Sequence, residues 1–99
     1  MKEKFDERSP YWQSDIDSNI EYVKETQRYL NDLLLRRDYV TIFKVYDELG
    51  LRLDINRLLS IKDPRELCWS NDGNDEINFR IKPNRDDGTI DLDFNINID

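Results

Sequence analysis

Closely spaced carboxylates are the residues of this chain best suited to do chemistry. Asp91 and Asp93 alternate with apolar residues, and in an extended strand their carboxylates lie about 6.6 Å apart on one face. Two such groups could act as general acid and general base, as in glycoside hydrolases. A pair on the open face of a strand, in a chain of 99 residues, has no deep cleft around it. We therefore expect no catalysis there.

A second acidic line is formed by Asp17, Glu21 and Glu25, which follow one another at intervals of four residues and so share one face of a helix. Like charges at this spacing disfavour a helix slightly, and Lys24 and Arg28 lie close enough to offset part of the repulsion. Two interpretations stay open. The line is either a solvated helix face or a row of carboxylates about 6 Å apart that imitates nucleic-acid phosphates and binds a basic groove of a protein.

Trp12 precedes this acidic line and could serve as an aromatic anchor of the same interface. The alternative is that Trp12 packs on the end of the predicted sheet. The candidate partner-binding residues are therefore Asp17, Glu21, Glu25, Asp91, Asp93 and Trp12.

The composition removes other kinds of chemistry. The chain has no histidine, which excludes a His-based triad and imidazole metal ligands. Its one cysteine, Cys68, allows neither an intramolecular disulfide nor a cysteine-rich zinc site. A net charge of −7 makes direct binding of nucleic acid unfavourable. No apolar run is long enough for a membrane span or a signal peptide. We expect a cytoplasmic protein that is not an enzyme and takes no cofactor and no metal.

The apolar periodicity predicts two helices that would position the acidic line. Residues 1–9 are expected to be a mobile leader, and residues 10–99 a single α+β domain. The first helix begins at Pro10 after a Ser9 cap, or near Ser14, and ends near residue 37.

The second predicted helix spans residues 41–49 and ends at Gly50 in the left-handed conformation. The short connection between the helices indicates an antiparallel helical hairpin. Asp54 could cap one or two further turns before Pro64.

The last third of the chain predicts a sheet. A short strand at 67–69 precedes a turn at 71–74, and apolar alternation follows over 77–82 and 89–99. Residues 71–99 hold eight acidic and three basic residues, which places most of the negative charge there. We expect an α+β fold in which the N-terminal helical hairpin packs on one face of a small three-stranded antiparallel sheet, with the other face in water.

Several short motifs carry a family resemblance. They are Tyr29-Leu30-Asn31, Leu33-Leu34, Val45-Tyr46-Asp47 with Leu49-Gly50, Trp69, and Leu92-Asp93-Phe94-Asn95. Over residues 28–98 the chain resembles a group of small uncharacterised proteins encoded by phages and mobile elements of Gram-positive bacteria. The resemblance implies a viral or mobile-element origin and a helical-hairpin-plus-sheet core. It implies no catalytic residues, because that group has no established activity.

By association with such an origin, we expect a non-enzymatic inhibitor that occupies the basic surface of a host nucleic-acid-handling protein, for example a CRISPR effector. The alternative is a phage structural or assembly module that forms a homodimer through the long first helix. An enzyme is the third and weakest alternative.

Overall fold

The computed structural model describes residues 1–60, 67–71 and 76–96. Pro64, most of the predicted turn at 71–74 and the end of the predicted last strand at 97–99 lie outside the described residues. In chain order the elements are β1 (Lys2–Phe5), α1 (Ile16–Arg36), β2 (Tyr39–Thr41), α2 (Ile42–Leu49), α3 (Ile55–Leu59), β3 (Cys68–Ser70), β4 (Lys82–Asn84) and β5 (Thr89–Asp93).

The first residues belong to the fold, so the prediction of a mobile leader over residues 1–9 is wrong. Strand β1 pairs antiparallel with β5, with Phe5 opposite Ile90, and the Phe5 side chain is fully buried. Because Lys2 and Lys4 alternate with Glu3 and Phe5, the lysines face water while Phe5 enters the core. Four residues are too few for this period of two to be recognised in the sequence.

Helix α1 begins at Ile16, which agrees with the alternative start near Ser14 and not with the start at Pro10. Asp15 is the N-cap, and its side chain accepts a hydrogen bond from the Asp17 backbone N–H. Ser9 has another role: its hydroxyl donates to the Leu49 carbonyl at 2.7 Å and so satisfies the last turn of α2. The end of α1 at Arg36 agrees with the prediction, and the helix is about 31 Å long.

The second helix is confirmed. The Thr41 hydroxyl caps the start of α2, and Gly50 ends it with φ +67°. The helical hairpin is only approximate, because β2 lies between α1 and α2 and pairs with β3 in a separate two-stranded sheet. The short helix predicted after Asp54 is present as α3.

The predicted three-stranded antiparallel sheet exists, but with other strands. Its order is β1-β5-β4, whereas residues 67–69 contribute to the two-stranded sheet with β2. The last strand ends at Asp93 rather than continuing through residue 99. Helices α1 and α2 cover the face that carries Phe5, Ile90 and Leu92, and the opposite face is open to water.

Residues 77–81 form no strand, although their burial alternates as the sequence predicts. Asn31 of α1 holds this segment by both polar atoms of its amide: Nδ2 donates to the Ile77 carbonyl at 2.9 Å and Oδ1 accepts from the Ile77 N–H at 2.8 Å. Gln27 Oε1 accepts from the Phe79 N–H at 2.7 Å. Side-chain amides therefore satisfy backbone groups that a neighbouring strand would otherwise pair.

Candidate binding surfaces

The outer side of α1 presents the predicted acidic line. Its inner side is buried, while Asp17, Glu21 and Glu25 are exposed. The Asp17 and Glu25 side chains keep 72% and 52% of their surface in contact with water. At about 1.5 Å rise per residue the three carboxylates span about 12 Å along the helix.

Two cations contact this line without covering it. Arg85 Nη1 lies 3.3 Å from Asp17 Oδ1, and Arg28 pairs with Glu25 one turn along α1. Within the described residues Glu21 forms no ion pair. Exposed pairs of this kind contribute at most about 1 kcal/mol, so a partner's cations could exchange with them.

The turn between β4 and β5 adds carboxylates that the sequence analysis did not assign to this surface. The ion pair of Arg85 with Asp17 brings the turn to the start of α1, and Asp86 and Asp87 in the same turn are exposed. The sequence places residues 83–88 between the two predicted alternating segments, 77–82 and 89–99, but cannot show which helix they contact. We call Asp17, Glu21, Glu25, Asp86 and Asp87 the acidic face.

Hydrogen bonds from the first residue of β5 hold the Asp87 side chain in place. Its Oδ1 accepts from the Thr89 hydroxyl at 2.7 Å and from the Thr89 N–H at 3.0 Å. These hydrogen bonds hold the pKa of the Asp87 carboxyl below its usual value because they stabilise the ionised form.

Trp12 packs on the end of the sheet. This is the second of the two interpretations of Trp12, the first being an aromatic anchor for a partner. The side chain is half-buried against the core, and its Nε1 donates to the Gly88 carbonyl at 3.3 Å. Trp12 therefore helps to hold the β4–β5 turn beside α1.

Asp91 and Asp93 lie on the water-facing side of the three-stranded sheet, as predicted, but in cationic surroundings. Lys4 and Lys82 stand opposite Asp91 on the two flanking strands, and Lys2 stands opposite Asp93. Side chains that stand opposite each other share a sheet face. Four cations and two carboxylates of the described residues meet there; we call this the cationic face, and its cations are Lys2, Lys4, Arg80 and Lys82.

Ion pairs occupy the two carboxylates of the cationic face. Lys4 Nζ lies 3.9 Å from Asp91 Oδ1, and Arg80 Nη1 lies 3.6 Å from Asp93 Oδ2. The Met1 ammonium group donates to Asp93 Oδ1 at 3.2 Å and lowers the pKa of Asp93. The sequence suggests an acidic strand face because it cannot show that cations from β1 and β4 flank it.

The structure keeps the two sets of predicted carboxylates apart. The acidic face lies on the helical layer and the β4–β5 turn, whereas Asp91 and Asp93 lie on the sheet face that α1 and α2 leave open. A single surface that combines all five predicted acids is therefore not formed.

An open groove of about 470 Å³ runs over the cationic face. It is lined by Leu92, by the cations Lys2, Arg80 and Lys82, and by the carboxylates Glu3, Asp91 and Asp93. Arg80 has φ +49°, an uncommon angle for a residue with a side chain, and its N–H donates to Asn78 Oδ1 at 2.9 Å. Among the described residues no group of three or more His, Cys, Asp or Glu is arranged to hold a metal ion.

The motif residues of the family resemblance have structural roles here. Asn31 holds Ile77, Tyr46 donates to Glu3 Oε2 at 2.8 Å, and Gly50 ends α2. Asn95 accepts from the Trp69 ring N–H at 2.9 Å and from the Asn78 N–H at 2.7 Å. These motif residues therefore stabilise the fold.

In the described part of the chain, no helix combines the length and apolar character that crossing a membrane requires. No match is found among curated proteins or among solved structures. A family model described as a family of unknown function, DUF6353, matches residues 2–98. The match includes the residues before 28 that the sequence resemblance left out. Since it covers nearly the whole chain, this protein belongs to DUF6353.

Proposed function

We propose that this protein is a non-enzymatic binding module that uses its acidic face to occupy the basic surface of a nucleic-acid-handling protein. The observation that carries the proposal is the exposed line of Asp17, Glu21 and Glu25 on α1. Carboxylates about 6 Å apart approximate the spacing of phosphates along one nucleic-acid strand. The same long-range attraction that draws nucleic acid into a Lys/Arg groove would draw in this face.

The β4–β5 turn supports the proposal because it extends the acidic face beyond the helix. Asp86 and Asp87 are held beside α1 by the Arg85–Asp17 ion pair and the Trp12–Gly88 hydrogen bond. A surface whose charges are held in place loses less conformational entropy when a partner docks. In this proposal Asp91 and Asp93 stabilise the sheet and do not contact the partner.

We propose that a phage or mobile element encodes this protein. Its target would be a host protein such as a CRISPR effector, which it would inhibit. The alternative is an assembly module that dimerises through the first helix. Because α1 begins at Ile16, it offers a shorter dimerisation surface than a helix that begins at Pro10 would offer.

The test is capture from a bacterial lysate by three immobilised forms of the chain. Glu21→Lys with Glu25→Lys reverses the centre of the acidic face. The control, Glu7→Lys with Asp47→Lys, makes the same change of charge at two exposed acids outside that face. We expect the wild type and the control to retain a nucleic-acid-handling protein that added duplex DNA displaces, and the reversed form to lose it.

The same captured protein should dissociate steeply as salt is raised, because the contact is ionic. The proposal fails if the reversed form retains the protein as well as the wild type does. It also fails if duplex DNA does not compete, or if no nucleic-acid-handling protein is captured.

A further inference from the structure

The two sides of the molecule carry opposite charge, although the chain as a whole has a net charge of −7. The acidic face lies on α1 and the β4–β5 turn, and the cationic face lies on the open side of the sheet. The cations of the sheet come from its two outer strands, which flank β5. This separation is a property of the tertiary structure, since β1 and β4 are about 80 residues apart in sequence.

The cationic face keeps charges that its own carboxylates do not neutralise. Asp91 pairs with Lys4, and Asp93 pairs with Arg80 and the Met1 ammonium group. Lys2 and Lys82 form no ion pair within the described residues. Both are exposed and line the groove of about 470 Å³.

The spacing of charges on the two faces is complementary. Lysines two residues apart on a strand, such as Lys2 and Lys4, are separated by about 6.6 Å. The Lys4–Asp91 pair is exposed and 3.9 Å long, and exposed pairs are weak enough for Lys4 to exchange to a partner's carboxylate. Carboxylates four residues apart on a helix, such as Glu21 and Glu25, are separated by about 6 Å. An acidic helix laid along β1 therefore places its carboxylates opposite the lysines.

We propose that the cationic face binds the acidic face of a second copy of this chain, so that molecules associate through unlike surfaces. Among the described helices, α1 supplies three exposed carboxylates at four-residue intervals. At physiological salt the screening length is about 8 Å, so the facing charges outweigh the repulsion between distant parts of two molecules. Because the contact joins two different surfaces, it generates rings or open chains of molecules rather than a two-fold dimer.

This association would also regulate the proposed function. The second copy and the nucleic-acid-handling protein would compete for the same acidic face. A chain-to-chain contact would keep the face covered until the stronger partner displaces it.

The experiment measures mass by sedimentation velocity over a range of concentrations of purified protein. We expect the wild type to grow beyond the 12.0 kDa monomer as concentration rises and to return to monomer in about 1 M salt, where the screening length is about 3 Å. The sheet variant, Lys2→Gln with Lys82→Gln, and the helix variant, Glu21→Gln with Glu25→Gln, should each stay monomeric.

A mixture of the two variants gives the sharper result. The sheet variant keeps an intact acidic face and the helix variant keeps an intact cationic face, so an equimolar mixture should form a heterodimer that cannot grow further. The matched control, Arg36→Gln with Arg52→Gln, removes two exposed cations elsewhere and should associate like the wild type.

The inference is overturned if the wild type stays monomeric at all concentrations, if the sheet variant associates as the wild type does, or if the mixture forms no heterodimer. These outcomes are independent of the proposed function, because the measurement contains no partner protein. Failure of the lysate capture would leave the sedimentation result unchanged.

Discussion

Among the described residues, two glycines take left-handed backbone angles, and one of these two is enclosed by neighbours. Gly50 has φ +67°, and a Cβ there would lie 2.7 Å from Ser9 Oγ and 2.8 Å from Pro10 Cδ. Gly88 has φ +76°, and a Cβ there would meet only Trp12 Cζ2, at 3.8 Å. Residues 9–11 therefore pack on the end of α2 so closely that position 50 has no room for a side chain.

We expect Gly50→Ala to lower the free energy of unfolding by about 3 kcal/mol or more, since backbone strain and a collision act together. Gly88→Ala is the matched control, and it should cost only about 1 kcal/mol of left-handed strain. Urea denaturation of both variants measures the difference. Equal losses would show that residues 9–11 do not enclose position 50.

Asp87 gives a residue-level prediction about acid. Its pKa is lowered in the folded protein by hydrogen bonds from Thr89, so its contribution to stability is present above the ordinary carboxyl pKa and is lost as pH falls through the lowered value. Asp87→Asn keeps an acceptor oxygen without the charge. Its unfolding free energy should therefore change less between about pH 5 and about pH 2 than that of the wild type.

The control for this measurement is Asp86→Asn, the neighbouring exposed acid in the same turn. It removes the same charge from the turn and leaves the Thr89 hydrogen bonds to Asp87 in place. An Asp87→Asn variant as acid-sensitive as the wild type would contradict the role of the Thr89 hydrogen bonds.

Among the elements, the segment 76–80 is the one whose conformation depends most on side chains outside it. Asn31 pairs with both backbone groups of Ile77, Gln27 accepts from Phe79, and Asn95 Nδ2 donates to the Glu76 carbonyl at 2.6 Å. Alternating burial alone indicates a strand here. One edge of the segment still pairs with the chain at the end of β5, since the Asp93 N–H donates to the Phe79 carbonyl at 2.8 Å and the Asn95 N–H donates to the Asn78 carbonyl at 3.1 Å. On the other edge, α1 presents side-chain amides where a further strand would lie.

Asn31→Ala leaves the Ile77 N–H and carbonyl without their partner, so we expect a loss of about 2–3 kcal/mol in unfolding free energy. In Asn31→Ala, hydrogen exchange of the Ile77 amide should accelerate, relative to the wild type, by a larger factor than exchange of the Leu30 amide in the core. Asn31→Asp keeps the acceptor and loses the donor. Its unfolding free energy should therefore lie between those of the wild type and Asn31→Ala. Asn56→Ala, at an exposed position of α3, should change stability by less than about 0.5 kcal/mol; a comparable loss at both positions would argue against the backbone pairing.

At the scale of the whole molecule, the first described strand, β1, pairs with the last, β5. Strand β1 lies beside β5, and the Phe94 N–H donates to the Met1 carbonyl at 2.8 Å across nearly the full length of the sequence. Phe5 links this contact to the core through its stacked arrangement with Tyr22, whose ring centre is 5.8 Å away. The packing therefore couples β1 to α1 and not only to its neighbouring strand.

We expect β1 to separate from β5 only when the core unfolds. In native-state hydrogen exchange, the Phe94 amide should then show the same opening free energy and the same dependence on denaturant as the Leu30 amide of α1. Exchange of the amides around the exposed Asp54, before α3, shows what local opening looks like in the same experiment. If Phe94 exchanges through a much smaller opening than Leu30, β1 frays independently and the coupling is wrong.

The sequence by itself determined the features that depend on local pattern: helix α2 with its Gly50 cap, the end of α1, and the burial of Ile77 and Phe79. Short-range periodicity and capping are sufficient for these, because they require only neighbours along the chain. The exposed acids of α1 were predictable for the same reason.

Only the tertiary structure decided which strands pair and what surrounds each charge. Lys4 and Lys82 lie on either side of Asp91. The strand predicted to carry an acidic face therefore lies at the centre of the cationic face. The tertiary structure also brought Asp86 and Asp87 beside α1 through Arg85. The physical reason is that electrostatic character depends on distance in space, and these partners are separated by tens of residues in the chain.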